Sequence, residues 1–478
     1  MCVRDSPIPL QDACAHLTNP AGISFPNGPV AGFEEFTNMK LTESNHLLRA
    51  GERHIAGGVV SLNRKAEPAI CFVRAFGSRL WDADGNEYID YHAAFAPHLL
   101  GHNPPQVSAA VRTALEENWS LMGSGSTPWE VELGQLLCDS VAGLERVQIF
   151  NTGSEATAMA IRFARAFTGR EDIITTLGGY NGWHDEVGRA VMPSLAEIGP
   201  RVTRGEYPFR PISAGIPLAT QRRIHVVNFN DLESVEEILK THSISCLITE
   251  PVLQNVGIIL PQPGYLEGLR KLCHHYGTLL IFDEVKTGFR TALGGYQSVA
   301  GVRPDLSVFG KAVASGYPLA VLGGRADIMN LVTATDPARR VLVAGTYNAH
   351  PISCAAAIAS LKVLRENNGA IYQEINIRAT RLVEGIARIF QNAGAKIVIA
   401  RNASAFCVYF LEHTPLDLHD ILMSHDFDRD RRYRLGLIEH GVYHFPVPCK
   451  QGSISAAHSE SDIDRTLEAT SEVVRTLF

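Results

Sequence analysis

Two strand-like runs in this chain end in residues able to do carbonyl chemistry. Leu279-Leu280-Ile281-Phe282-Asp283-Glu284-Val285 is an apolar run that finishes in carboxylates, and Leu306-Ser307-Val308-Phe309-Gly310-Lys311 alternates before finishing in Gly and Lys. The interval between them accommodates one crossover connection, so both ends can reach the same edge of a parallel sheet. An amine and a carboxylate held there suit pyridoxal phosphate (PLP). Lys311 can form a Schiff base with its aldehyde, and Asp283 can keep its ring nitrogen protonated. Each also has a plainer reading, Lys311 as a solvated cation and Asp283-Glu284 as a capping or metal site. The case therefore rests on what else arrives at the edge.

Three further strand-like segments end there, and a loop adds a hydroxyl. Arg146–Phe150 reads as a strand, Asn151-Thr152-Gly153-Ser154 as a turn, and Glu155 to Arg165 as the opening of a helix. Free backbone N–H groups and the positive end of the helix dipole suit a phosphate, although Ser154 also fits an ordinary helix cap. Tyr180, in Gly179-Tyr180-Asn181-Gly182, follows the strand Ile173–Thr176 and can stack on a flat ring. Glu250-Pro251 closes the strand Ile244–Thr249 and adds a carboxylate, and Thr346 in Gly345-Thr346-Tyr347-Asn348 offers a hydroxyl to a phosphate.

The elements that must position these residues follow from periodicity. Residues 1–35 read as an irregular arm rich in Pro, Gly and Asn, followed by a helix over 42–54 capped near Thr42 or Ser44 and short strands over 69–76 and 79–90. Helical segments at 105–117, 128–142, 154–168, 231–241 and 264–276 then alternate with strands at 146–150, 172–176, 224–228, 244–249, 278–283 and 305–309. That alternation predicts an α/β layer on a mainly parallel sheet. Helices at 351–366, 372–391 and 459–476, with strands at 396–400 and 405–411, predict a smaller α+β unit. Three units result: 1–95 (arm, helix and small strand pair), 96–355 (the large, PLP-binding unit) and 356–478 (the small C-terminal unit).

Composition narrows the function. A chain of 478 residues suits two or three packed units. A net charge of −7 without a basic tract argues against nucleic-acid binding, and no apolar run is long enough to span a membrane. The N-terminal stretch from Met1 to Pro7 lacks the apolar core of a signal peptide, and nine cysteines without C-x-x-C spacing suggest reduced thiols in a cytoplasmic protein. Cys273-His274-His275 resembles a metal cluster, but adjacent residues on a helix diverge, so no metal is expected. Gly123-Ser124-Gly125 lacks the preceding strand and third glycine of a dinucleotide fingerprint.

Taken in order, these motifs resemble the class III aminotransferases, PLP enzymes of fold type I. The likeness is strongest to the glutamate-1-semialdehyde 2,1-aminomutase-like branch, which includes β-amino acid and D-phenylglycine aminotransferases. It spans about residues 40–475 and is carried by Gly57-Gly58-Val59, Asn151-Thr152-Gly153-Ser154-Glu155-Ala156, Gly179-Tyr180-Asn181-Gly182, Glu250-Pro251, Asp283 to Arg290, Gly310-Lys311, Ser315 to Leu319 and Gly345-Thr346. The resemblance implies that Lys311 carries the cofactor and moves the substrate proton. Asp283 would pair with the ring nitrogen, Val285 would lie behind the ring and Tyr180 in front. Gly153 and Ser154, with Thr152 beside them, would hold the phosphate, and Glu250 would support the site. Thr346 would reach the phosphate of a second copy, implying a homodimer with shared active sites. Lys286, three residues beyond Asp283, is the rival amine, but the resemblance does not place the Schiff-base lysine there.

The resemblance also aligns Arg64 with an arginine that grips the substrate carboxylate, for which a planar guanidinium is suited. Lys450, in Tyr443 to Gly452, stands where true aminomutases carry a Glu near the substrate amine. A cation there suits a second carboxylate better than a diamine. The expected activity is amino transfer from an amino acid, with β- and aromatic amino acids as candidate donors, to a keto acid. The alternatives are a glutamate-1-semialdehyde-type aminomutase, another PLP reaction on the same scaffold such as racemisation or decarboxylation, and a non-catalytic PLP-binding regulator. Asn181 replaces the usual His of its motif. Residues 185–215 read as a lid or a variable surface loop, and side-chain pocket contributors are expected among Ser124, Gly125, Thr127, Trp129, Tyr347 and His444.

Overall fold

The computed structural model describes residues 39–478, so the expected arm over 1–35 lies outside the described residues. Three short strands come first, β1 (Phe72–Phe76), β2 (Arg79–Asp82) and β3 (Glu87–Asp90). The strands β4 (Arg146–Phe150), β5 (Asp172–Thr176), β6 (Ile224–Val227), β7 (Ile244–Thr249), β8 (Leu279–Glu284), β9 (Leu306–Phe309) and β10 (Ala320–Gly324) form the large sheet. The C-terminal part adds β11 (Val398–Asn402), β12 (Ala405–Tyr409), β13 (Val442–Tyr443) and β14 (Gly452–Ser453).

The large sheet has seven strands in the order β4-β10-β9-β8-β7-β5-β6. Strand pairs β5/β6, β5/β7, β7/β8 and β8/β9 are parallel, while β10 runs antiparallel to both β4 and β9. Every residue of β7 and β8 is buried, as expected for strands covered on both faces. The sheet is mainly parallel, as the sequence predicts. The sequence pattern does not predict strand β10, because Ala320-Val321-Leu322-Gly323-Gly324 carries two glycines and no alternation. Its glycines sit where a Cβ would strike Leu144 or the Asp305 carbonyl.

Strand β13 pairs with β3, so a C-terminal segment completes the N-terminal sheet β1-β2-β3-β13, and a third sheet runs β11-β12-β14. The first helix, Thr42–Glu52, begins as expected but is not capped by its own Thr or Ser. Asp84, in the turn between β2 and β3, accepts from the N–H groups of Glu43 and Ser44, both at 2.8 Å. Ser44 is buried instead and accepts from Cys71 N–H. Cys273 is buried on the helix Tyr265–Tyr276 while His274 and His275 are exposed, so the three side chains diverge. No helix among the described residues is long and apolar enough to cross a membrane.

Candidate active site

Because β4, β5, β7, β8 and β9 all run the same way, their C-terminal ends share one edge. A cavity of about 420 Å³ opens there, lined by Arg64, Thr152, Gly153, Ser154, Tyr180, Glu250, Asp283, Val285 and Lys311 among others. Nine sequence-selected residues from separate segments therefore surround one space. A second cavity, about 250 Å³, adjoins it through Tyr180, Asn255, Lys286 and Lys311, and Lys450 lines it. Two larger grooves, about 730 and 530 Å³, lie elsewhere, and neither is lined by a buried ionisable group.

One end of the site is a helix N-terminus. Thr152 caps the helix Gly153–Thr168: its hydroxyl accepts from Glu155 N–H at 3.2 Å, and the Glu155 carboxylate accepts from Thr152 and Asn151 N–H at 3.1 and 2.9 Å. Ala156 N–H is spent on the Thr152 carbonyl, which leaves the N–H groups of Gly153 and Ser154 for a ligand. A Cβ at Gly153 would lie 3.0 Å from Val285 Cγ2, so glycine lets the helix end approach the wall of the cavity.

At the other end, Asp283 is 3% exposed and accepts from Asn181 Nδ2 at 2.9 Å and Val285 N–H at 3.1 Å. Burial and the nearby charge of Glu250 push its pKa up to about 7, only partly offset by those two hydrogen bonds and by Lys311. Its neighbour Glu284, from the same pair of carboxylates, is spent on structure, taking hydrogen bonds from Thr287 Oγ1, Gln297 N–H and the Gln297 amide. Asn181 is thus a residue whose part the sequence left open, the only clue being its replacement of the usual His.

Lys311 follows Gly310 directly after β9 and has φ +49, a left-handed conformation rare outside glycine. Such strain persists only where the surroundings enforce it, and it clusters at functional positions. Burial lowers the Lys311 pKa against the opposing pull of Asp283 and Glu250, which favours the nucleophilic amine. Glu250, 2% exposed, ties the edge together: it accepts from Tyr180 N–H at 2.8 Å, Gln254 N–H at 3.1 Å and Asn255 Nδ2 at 2.9 Å.

Thr346 is exposed and lines neither cavity of its own chain. The pocket contributors expected at Ser124, Gly125, Thr127, Trp129, Tyr347 and His444 line neither cavity within the chain. Trp129 stacks on Trp119, Thr127 caps a helix, and His444 stacks on Tyr91. The apolar wall comes instead from Phe95, Val191, Met192, Ile212, Phe445 and Val447. Val191, Met192 and Ile212 belong to the 185–215 segment, whose stretch 187–192 is buried, so this part of it packs against the site.

A family model described as aminotransferase class III matches residues 61–418. The chain is 38% identical over 442 residues to a glutamate-1-semialdehyde 2,1-aminomutase from Desulforudis audaxviator (strain MP104C), covering 91% of this chain and 98% of that one. Among solved structures it is similar to an omega-transaminase from Sphaerobacter thermophilus, with a TM-score of 0.84, 27% identity and 91% and 97% of the two chains covered. A transaminase with PLP bound gives a TM-score of 0.81 at 25% identity, covering 92% and 98%. The fold is the fold type I of PLP enzymes, and the cofactor is pyridoxal phosphate. The edge fits that group: two free N–H groups at a helix end for its phosphate, a buried carboxylate for its ring nitrogen, and a strand-end amine for its aldehyde.

Proposed function

The chain belongs to the class III aminotransferase family, and from that premise we propose that it moves an amino group from an amino acid to a keto acid. PLP bound at this edge supplies an electron sink for the electrons of a broken Cα–H bond. The Lys311 amine holds the cofactor and then carries the proton to and from the substrate carbon. Asp283 holds the proton of the ring nitrogen, and its raised pKa favours sharing a proton with a basic partner. Tyr180 and Val285 cover the two faces of the ring. Gly153 and Ser154 hold the phosphate, with Thr152 fixing the helix end that presents them. Glu250 supports the site, Arg64 grips the substrate carboxylate at the cavity mouth, and Thr346 completes the phosphate site of a second copy in a homodimer. The apolar wall suits aromatic or β-amino acid donors.

The observation that carries amino transfer to a keto acid is Lys450. Its Nζ lies in the same cavity as Lys311, hydrogen-bonded to the Asn255 carbonyl at 3.0 Å. An ammonium there repels a diamine and attracts an anion. The second reading, an aminomutase, is favoured by the 38% identity to a protein of that name.

Titration of the PLP-loaded protein with α-, β- and ω-amino acids, without keto acid, separates the two. Loss of the visible absorbance band together with release of a keto acid supports amino transfer and names the donor. Isomerisation of glutamate 1-semialdehyde with no keto acid released overturns it in favour of the mutase.

A further inference from the structure

Three lysines besides Lys311 line the smaller cavity: Lys65 is exposed, whereas Lys286 and Lys450 are both held by one short segment. Lys286 Nζ donates to the Gln254 carbonyl at 2.8 Å, and Lys450 Nζ donates to the next carbonyl, that of Asn255, at 3.0 Å. The segment itself is pinned by Glu250, through Gln254 N–H and Asn255 Nδ2. The backs of the lysines are therefore fixed, while their remaining N–H groups line the space beside Lys311.

Neither Lys286 nor Lys450 touches a carboxylate among the described residues, although Lys286 is only 7% exposed; the Glu250 charge acts on both only across space. A structural lysine at that depth is ordinarily paired. The nearest buried carboxylates are already committed, Glu250 to three N–H donors and Asp283 to Asn181 and Val285. Arg290, a further buried cation, is held by the Ala96 carbonyl and Ser404 Oγ, again without a carboxylate. Groups able to take on positive charge therefore outnumber the carboxylates in contact with them, and that excess lies where a substrate side chain would lie.

We propose that Lys286 and Lys450 together form a subsite for the distal carboxylate of a small dicarboxylic substrate, the keto acid acceptor. This rests on the amino-transfer reading above. One carboxylate offers an oxygen to each lysine, the proximal carboxylate falls to Arg64 at the mouth of the site, and a cavity of about 250 Å³ accommodates a five-carbon chain. Burial and the charge of Lys311 lower the Lys286 pKa well below that of a free lysine, and burial brings Lys450 down to about 8. Arrival of an anion reverses that balance, so binding is coupled to uptake of protons from solvent, one for each lysine that was neutral.

Calorimetric titration of the PLP-loaded protein with glutarate and with pentanoate tests this, run at pH about 8.5 in two buffers of different ionisation enthalpy. Glutarate is expected to bind at least about tenfold more tightly, with net proton uptake, since one charge-assisted contact is worth that factor or more. Lys286→Met and Lys450→Gln should each erase most of the preference while leaving pentanoate affinity and cofactor loading unchanged. If Lys286→Met fails to fold, Lys286→Gln takes its place, and the wild-type preference and proton count stand as tests by themselves. Equal affinities, no proton uptake, or a preference that survives both substitutions overturns the subsite. Amino acceptance is read separately with 2-oxoglutarate and 2-oxopentanoate on the amine-loaded enzyme. A glutarate preference without any amino acceptance leaves the subsite standing and removes the transfer reading. Equal acceptance of both keto acids, with no glutarate preference, does the reverse.

Discussion

Asp283 and Asp430 are both buried aspartates, and the protein treats them in opposite ways. Asp430, fully buried, accepts from Arg434 Nε at 2.6 Å, from Cys449 N–H at 2.8 Å and shares 3.1 Å with His425 Nε2. Burial alone would raise its pKa, but Arg434, His425 and the Cys449 N–H outweigh that and hold it below the ordinary carboxylate range. Among the described residues Asp283 has two neutral donors and no cation bonded to it, and its pKa rises to about 7. A buried carboxylate with its charge and hydrogen bonds satisfied is a finished structural element. One left short of a cation is prepared for a ligand that brings one. The same contrast explains why His425, Asp430 and Cys449, whose ligand atoms lie within 4.8 Å of one another, read as an ion-pair network: the Arg434 guanidinium already occupies the carboxylate.

The two sites are also mechanically linked. Arg434 donates to the Phe445 carbonyl at 3.3 Å and to the Lys450 carbonyl at 2.9 Å. The finished pair thus props the segment between β13 and β14 that delivers Phe445, Val447 and Lys450 to the cavity.

The contrast can be broken from either side. Asp430→Ala leaves Arg434 buried and uncompensated, and a loss of about 3–5 kcal/mol of stability is expected in thermal or denaturant unfolding. Asp283→Asn should spare the fold and lower turnover by about 10²–10³-fold, measured as the rate of the amino-acid half-reaction. If Asp283→Asn destabilised the protein as much as Asp430→Ala, the division between structural and ligand-ready carboxylate would fail.

Smaller effects sharpen it. Asn181→Ala removes a hydrogen bond to the ionised form of Asp283, and about 1.5–3 kcal/mol of preference for that form should go with it. Slower turnover with an acidic limb moved to higher pH is the expected readout. In cofactor-free protein, folded Asp283 keeps its proton up to about pH 7 while the unfolded chain releases it near pH 4. The unfolded state then binds fewer protons across that window, so the Asp283 contribution to stability falls as pH rises from about 4 to about 7. Asp430 acts with the opposite sign: its contribution is full above pH about 4 and is lost as pH falls through its depressed value. Melting temperatures of cofactor-free wild type and Asp283→Asn at pH 5 and 8 check the sign, with the wild type losing ground to the variant at the higher pH.

Much of this site was legible in the sequence because the chemistry sits at strand ends. Asp283, Glu250, Tyr180, Lys311 and the Gly153-Ser154 turn each follow an apolar run, and a parallel sheet brings such ends together regardless of their separation in sequence. Contacts made across that edge were not legible. Nothing local marks Asn181 as the donor to Asp283, or the Gln254 and Asn255 carbonyls as anchors for two lysines 164 positions apart, Lys286 and Lys450. The helix at Thr42 carries suitable capping residues of its own, yet a turn 40 positions away supplies the cap. Strand β10 is not legible in the sequence because its glycines serve close packing against β4 and β9, a demand set only by the assembled sheet.

The amine at the end of β9, and not its buried neighbour after β8, is proposed to hold the cofactor. Borohydride treatment of the PLP-loaded protein fixes the cofactor covalently to the lysine that carries it, and peptide mass spectrometry locates the added mass. The label is expected on Lys311, in the peptide that follows Gly310, and is expected to vanish in Lys311→Ala while persisting in Lys286→Met. A label on Lys286, or one that survives Lys311→Ala, would assign the cofactor to the other amine.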